Sequence, residues 1–229
     1  MENPVATPAV INSSNADVTP TFVGVSESIV APIAFAKIPC VIQLSLLQKE
    51  VESLLQYSQV MNSWIDHVNK KDYRGGWDVL PLRCQRQHLH AHPILQGFDI
   101  AAGDDWENLP VMLQCPEIQH LFNQLECPIK AARLMRLKAG AEIKPHRDHQ
   151  LSIEYGEARL HVPVNTSDAV SFIVDNKLIP MRAGELWYFN ADQMHEVYNR
   201  GDEDRINLVI DCVANEWLRN VVRAGAAHE

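Results

Sequence analysis

The sequence predicts a mainly β protein with flanking helices: a double-stranded β-helix (a jelly roll, cupin-like) with helical elements in front of it. Three observations predict this. From residue 129 onward, short β-rich segments alternate with Gly-, Asp- and Asn-bearing turn signals, the pattern of a sandwich or barrel. Before them, "SLLQKEVESLLQYSQ" places Leu46, Leu47, Val51, Leu54 and Leu55 at helical spacing. After them, "NEWLRNVVRA" reads as a closing helix. The 229 residues, 46% hydrophobic and 21% charged, suffice for a sizeable core.

In chain order, residues 1–28 are rich in Pro, Ser, Thr, Asn and Ala without periodicity, and are expected to form a disordered tail. A single domain is then expected over 29–229, its N-terminal part helical. "FAKIPCVIQL" reads as a strand, and Ser45 is positioned to cap the helix that follows. "GGWDVLPLRCQ" reads as extended. "ENLPVMLQCPEIQHLFNQL" reads as one helix, or two short ones split at Pro116. The β-rich segments are "IKAARLMRLKAG", "ARLHVPVN", "VSFIVDN", "KLIPMRAG", "ELWYFN", "HEVYN" and "RINLVIDCV", about eight strands in all. No internal repeat interrupts them.

Charge narrows the partners. Lys and Arg total 20 against 29 Asp and Glu, a formal net charge of -9, with no basic block. Phosphate neutralisation needs clustered cations, so neither nucleic acid nor an anionic membrane surface is an expected partner. Cys40, Cys84, Cys115, Cys127 and Cys212 are odd in number and form no C-x-x-C pair. They read as reduced thiols. The N-terminal stretch lacks a basic region followed by a long apolar run, and "IVAPIAFA" is too short to span a bilayer, so a cytoplasmic location is expected.

The chemistry concentrates in "KPHRDHQ". If this stretch is extended, alternation puts His146 and Asp148 on one face and Arg147 and His149 on the other. His195 in "MHEVYN" supplies a third ligand from a distant strand, which a jelly roll can bring alongside. Two imidazoles and one carboxylate form the facial triad of non-haem Fe(II) oxygenases and leave positions open for oxidant and cosubstrate. Structural zinc would want four closed ligands. Two rivals exist: His149, and "HLHAH", whose His88, His90 and His92 would share one strand face but equally read as half-buried polar residues. Arg205 opens "RINLVIDCV" with Asn207 on the same face. Taken alone it reads as a surface charge after "GDED". Beside the triad it suits the far carboxylate of a keto-diacid cosubstrate such as 2-oxoglutarate, through paired charge-assisted hydrogen bonds.

In order and spacing, "KPHRD", "ARLHVPV", "AGELWYFN", "HEVYN" and "RINLVID" resemble the aspartyl/asparaginyl β-hydroxylase family of Fe(II)/2-oxoglutarate-dependent oxygenases, over about residues 130–213 and more thinly through "YRGGWDVLPLR". The resemblance implies that His146, Asp148 and His195 hold iron. It implies that Arg205 binds the far carboxylate of 2-oxoglutarate, and that Arg159 and His161 also contact the cosubstrate. Fe(II), 2-oxoglutarate and O2 are the implied cofactors, with ascorbate in support. Asp148 is kept, as in the bacterial amino-acid hydroxylases of the family. A serine that helps bind cosubstrate in the peptide-hydroxylating branch falls at Met135, which argues against carrying that branch's substrate over. Arg83, Trp77 and Trp187 are candidates for the substrate mouth; Arg83 reads equally as a surface ion pair, and Trp187 with Tyr188 as barrel wall.

The expected function is therefore a hydroxylase acting on an amino acid, an amino-acid derivative or a peptide side chain. Two other readings stay open. One is a cupin-type dioxygenase or isomerase working without 2-oxoglutarate, for which recruitment of His161 would be the signature. The other is a non-catalytic jelly-roll binding module. Neither substrate identity nor oligomeric state is legible in the sequence.

Overall fold

The computed structural model describes residues 31–61, 64–98, 103 and 105–226; the expected N-terminal tail lies outside them. The chain runs through β1 (Phe35–Ile38), α1 (Leu44–Met61), β2 (Ile65–Asp66), β3 (Tyr73–Arg74), β4 (Trp77–Gln85), α2 (Pro93–Phe98), β5 (Trp106–Asn108) and α3 (Pro116–Phe122). It continues through β6 (Ile129–Leu137), β7 (Glu142–His146), β8 (Glu157–Asn165), β9 (Val170–Val174), β10 (Lys177–Leu178), β11 (Leu186–Phe189), β12 (His195–Asn199), β13 (Arg205–Val213) and α4 (Glu216–Ala226). The described elements belong to the compact unit Pro32–Glu229. No helix among the described residues is long and apolar enough to cross a membrane.

Two sheets face each other. The larger has the order β1-β11-β8-β13-β6-β4-β2, with β5 paired to β4; the smaller has the order β10-β9-β12-β7-β3. The pairs are all antiparallel, and most join strands that are not consecutive in the chain, as in a double-stranded β-helix.

Alternation on the large sheet separates packing from chemistry. On β13, Ile206, Leu208, Ile210 and Cys212 join the core that α1, α3 and α4 cover with Leu47, Val51, Ile118, Leu121, Leu218 and Val222. Arg205, Asn207, Val209 and Asp211 take the opposite parity and line the space between the sheets. β8 repeats the pattern: Ala158, Leu160, Val162 and Val164 face the helices, whereas Arg159 and His161 face inward. On β6, Ala132 and Leu134 pack outward against the helices, and Arg133, Met135 and Leu137 face inward. The inter-sheet core is closed by Phe172, Val174, Val197 and Ile143 from the small sheet. Complete burial of the helix-facing set anchors the strands, which in turn fixes the polar face to within side-chain freedom.

Several local expectations are corrected. The first strand stops at Ile38, before Pro39, because proline lacks the donor a ladder needs. Ser45 lies inside α1, which starts at Leu44; the Gln43 amide just ahead donates to Glu117 Oε1 at 2.7 Å. The stretch read as one or two helices begins with β5, then forms a 3-10 turn over Pro110–Gln114 and α3, with Pro116 at the helix start. His88 ends a 3-10 turn over Arg86–His88, and His90 and His92 follow in turns and coil, so the three do not share a strand face.

Candidate active site

Between the sheets lies a cavity of about 580 Å³. His146, the last residue of β7, sits opposite His195, the first of β12. Asp148 joins them by a different route from the one alternation predicts. β7 has ended, and the Asp148 N–H donates to the Ala191 carbonyl at 2.9 Å, turning the carboxylate back beside the two rings. Gln150, at φ 63, makes the tight turn that follows, and its N–H donates to Asp192 Oδ1 at 2.8 Å. One donor atom from each of His146, Asp148 and His195 lies within 4.8 Å of the other two.

Hydrogen bonds aim these donors. His146 Nδ1 lies 2.8 Å from the Lys144 carbonyl, and His195 Nδ1 lies 3.0 Å from that of Gln193. A carbonyl only accepts, so each Nδ1 carries a proton and each Nε2 keeps its lone pair for the cavity. Burial, then the neighbouring His146, lowers the His195 pKa to about 4, which keeps that ring neutral. Asp148 is pulled the other way. Burial opposes its charge, but Arg159 and the two histidines outweigh burial and hold its pKa below the usual carboxylate range.

Behind the triad runs a buried ionic chain. Arg159 binds Asp148 Oδ2 through Nη1 and Asp211 Oδ1 through Nε at 2.7 Å. Arg133 Nη2 donates to Asp211 Oδ2, also at 2.7 Å. Both guanidiniums press Asp211 well below its ordinary pKa despite burial. Arg133 is only half satisfied: its Nε and Nη1 are buried without a hydrogen-bond partner.

Arg205 is 5% exposed and lies 5.5 Å from the Phe172 ring centre. Burial alone lowers its pKa to about 10, with no carboxylate among the described residues to offset it. With the Asn207 amide oxygen turned toward Arg205, it accepts from Nη2 at 2.7 Å and from His161 Nδ1 at 3.1 Å. His161 is held neutral by burial and by the nearby Arg205 and Arg159. His161 is outside the group of converging donors, the opposite of what a fourth cupin ligand would require.

Of the residues singled out in the sequence, His146, Asp148, His195, Arg159, His161, Arg205 and Trp77 all line this cavity. Arg83 and Trp187 do not. Arg83 spends its guanidinium on Ile129 O, Asn108 Oδ1 and Trp106 O, which pins β5 to β4. Trp187 is 2% exposed and packs on Phe35, with Nε1 donating to Glu185. Arg147 points to solvent, and His149 is exposed at the rim, 3.9 Å from Asp192. Among the lining residues that escaped the sequence reading are Arg133, Asp211 and His67. Strict alternation from Met135 back to Arg133, and from Arg205 on to Asp211, would have found the first two. His67, in "IDHVN", carries no such signal.

Comparison with known proteins places the chain. L-proline cis-4-hydroxylase of Rhizobium meliloti (strain 1021) is 29% identical over 155 residues, covering 64% of this chain and 52% of the relative, so the chain spans about half the length of that relative. An oxidoreductase of the 2-oxoglutarate-Fe(II) oxygenase family from Burkholderia pseudomallei superposes with a TM-score of 0.50 at 13% identity, over 80% of this chain and 86% of its own. SnoN, a non-haem α-ketoglutarate-dependent epimerase of nogalamycin biosynthesis, gives 0.50 at 13%, over 79% and 77%. Those two likenesses establish the double-stranded β-helix fold. The family model described as aspartyl/asparaginyl beta-hydroxylase matches residues 43–215, from the first helix to the end of the last strand, and the chain belongs to that family.

Proposed function

We propose that the chain is an Fe(II)- and 2-oxoglutarate-dependent hydroxylase of an amino acid, an amino-acid derivative or a peptide side chain. Decarboxylation of 2-oxoglutarate to succinate would be coupled to hydroxylation of a C–H bond. One observation carries this reading: a cavity that holds both a converging His-Asp-His set and a buried guanidinium with no carboxylate partner among the described residues.

The donor set fits the metal. Two neutral imidazoles and one carboxylate, with the rest of the coordination sphere facing open cavity, match the facial triad better than a closed zinc site. His146, Asp148 and His195 would hold the ion. When bound, Fe(II) supplies the activation of O2 and the abstraction of hydrogen from an unactivated carbon. The protein does the rest. Lys144 O and Gln193 O fix the imidazole tautomers, and Arg159 restrains one oxygen of Asp148 while leaving the other toward the histidines. Arg205 would grip the far carboxylate of 2-oxoglutarate, a role its missing counter-charge supports. Arg159 and His161 would shape the near end. No protein acid or base is required, and ascorbate would serve only to keep the iron reduced.

The substrate side also favours an acid. The Arg133 guanidinium lines the same cavity, and 580 Å³ accommodates a small amino acid beside the cosubstrate. The relative that acts on L-proline supports a free amino acid as the substrate. Five free cysteines agree with a reducing, cytoplasmic setting.

The experiment is succinate release from purified protein with Fe(II), ascorbate, O2 and 2-oxoglutarate, screened across L-amino acids and peptides. Slow turnover without substrate, stimulation by one compound class and loss of both in His146→Ala are expected. Metal binding without 2-oxoglutarate turnover would reject the reading.

A further inference from the structure

His67 is not used by the metal or the cosubstrate, yet few side chains in the molecule are held from so many sides. It lies just past β2. Its N–H donates to the Trp77 carbonyl at 2.8 Å, and its carbonyl accepts from Tyr73 Oη at 3.3 Å. Its ring lies flat on the Trp77 indole, with centres 3.5 Å apart and planes 8° apart. Phe98 meets it edge-on at 4.9 Å. A purely packing role at this position needs only a phenyl ring. Histidine instead carries a desolvation cost, since burial lowers its pKa to about 3.

What histidine adds is an oriented N–H. The Asn69 amide donates to His67 Nδ1 at 3.3 Å, so in the neutral ring the proton belongs to Nε2. Nε2 has no hydrogen-bond partner among the described residues, although His67 is 8% exposed and lines the cavity. Arg133, with its own two unpartnered nitrogens, lines the same cavity. Of all the charges acting on His67, that of Arg133 is the largest, and Arg205 is not among them. An unpaired N–H on a cavity wall that a guanidinium also lines calls for an acceptor that carries negative charge.

We infer that His67 is a specificity-determining residue of the substrate site, its fixed Nε2–H acting on the wall it shares with the Arg133 guanidinium to receive the acid group of an amino-acid substrate. The inference rests on the hydroxylase reading and adds to it which residues read the substrate. Trp77 acts through His67: its indole face holds the imidazole plane, so the donor direction is set before substrate arrives.

The test is calorimetric titration of the protein loaded with redox-inert Zn(II), first with 2-oxoglutarate and then with each standard L-amino acid. Amines lacking the carboxylate, such as pyrrolidine set against L-proline, are titrated in parallel. The wild type is expected to bind at least one amino acid and to reject the matching amine. His67→Phe keeps the stack and removes the donor; it should weaken amino-acid binding by about tenfold to a hundredfold. His67→Gln, which restores an N–H, should recover part of that loss. The 2-oxoglutarate affinity of each variant, with its thermal unfolding, is the internal reference for an intact fold. Unchanged amino-acid affinity in His67→Phe, equal loss of both ligands, or no amino acid bound by the wild type would each overturn the assignment. Failure of the wild type to bind 2-oxoglutarate would instead bring down the hydroxylase reading, a result distinct from a loss confined to the amino acid.

Discussion

Arg205 and Asp211 sit on the same face of β13 and answer opposite electrostatic problems. Arg205 is a buried cation without a counter-ion among the described residues, so the ligand-free fold bears its desolvation. Replacing it with an apolar side chain of similar length should relieve that cost. Arg205→Met is therefore expected to raise the urea midpoint of the metal-free protein, while weakening 2-oxoglutarate binding at least about thirtyfold in a calorimetric titration. A residue held only for structure would show the reverse pattern. Asp211 is a buried anion between two cations, with Arg133 Nη2 and Arg159 Nε both 2.7 Å away. Asp211→Asn leaves Arg133 uncompensated and Arg159 with Asp148 alone, and should cost about 3–5 kcal/mol in denaturant unfolding. It should also loosen Asp148, since Arg159 bridges the two carboxylates; weaker metal affinity in the same variant would reveal that coupling.

At the scale of elements, legibility tracks periodicity. "RINLVIDCV" and "ARLHVPV" announce their faces because every second residue is apolar and packs on the helices, which fixes where Arg205, Arg159 and His161 must point. Asp148 reaches its predicted place although the premise fails. The strand ends at His146, and a backbone bond to Ala191, a contact between distant segments, supplies the turn. The same limitation hides His67, whose position comes from pairing β2 with β4 and from stacking on Trp77. "HLHAH" misleads because its alternation belongs to a turn that has no ladder partner. Gly225 near the end of α4 illustrates a tertiary demand with no local signature. A methyl group there would drive into the Lys37 carbonyl oxygen of β1. Gly225→Ala raises helix propensity by about 1 kcal/mol. Displacement of α4 from Leu218 and Val222 packing should outweigh that gain, with a net loss of about 1–3 kcal/mol in thermal or urea unfolding. Net stabilisation would show that α4 docks loosely.

For the molecule as a whole, lining a cavity with buried titratable groups makes the metal-free fold acid-sensitive, and the signs agree. His67 and His161 have pKa values below that of an unfolded histidine, about 3 for His67, with burial the leading cause in both. Below the unfolded value of about 6.5, the unfolded chain binds protons that the folded chain refuses. Their contribution to stability is therefore complete above that value and is lost as pH falls toward the folded values. Asp211 acts in a lower window: its depressed pKa contributes stability above the unfolded value of about 3.9, which is lost as pH drops further. No opposing term from these groups offsets the decline. Two protons taken up on unfolding by these rings give about 2.7 kcal/mol per pH unit, and His195, lowered to about 4, adds up to one more proton's share in the metal-free protein. Urea midpoints measured with a chelator present should be level above about pH 7 and fall steeply between about pH 6 and 4. A chelator is needed because metal binding brings its own proton linkage. His67→Phe should reduce the slope by about one proton's share, whatever its effect on the midpoint at neutral pH. Midpoints that stay constant down to pH 4 would mean that both rings accept protons inside the fold, and hence that the cavity wall is wetter and looser than its buried, pre-aimed donors require.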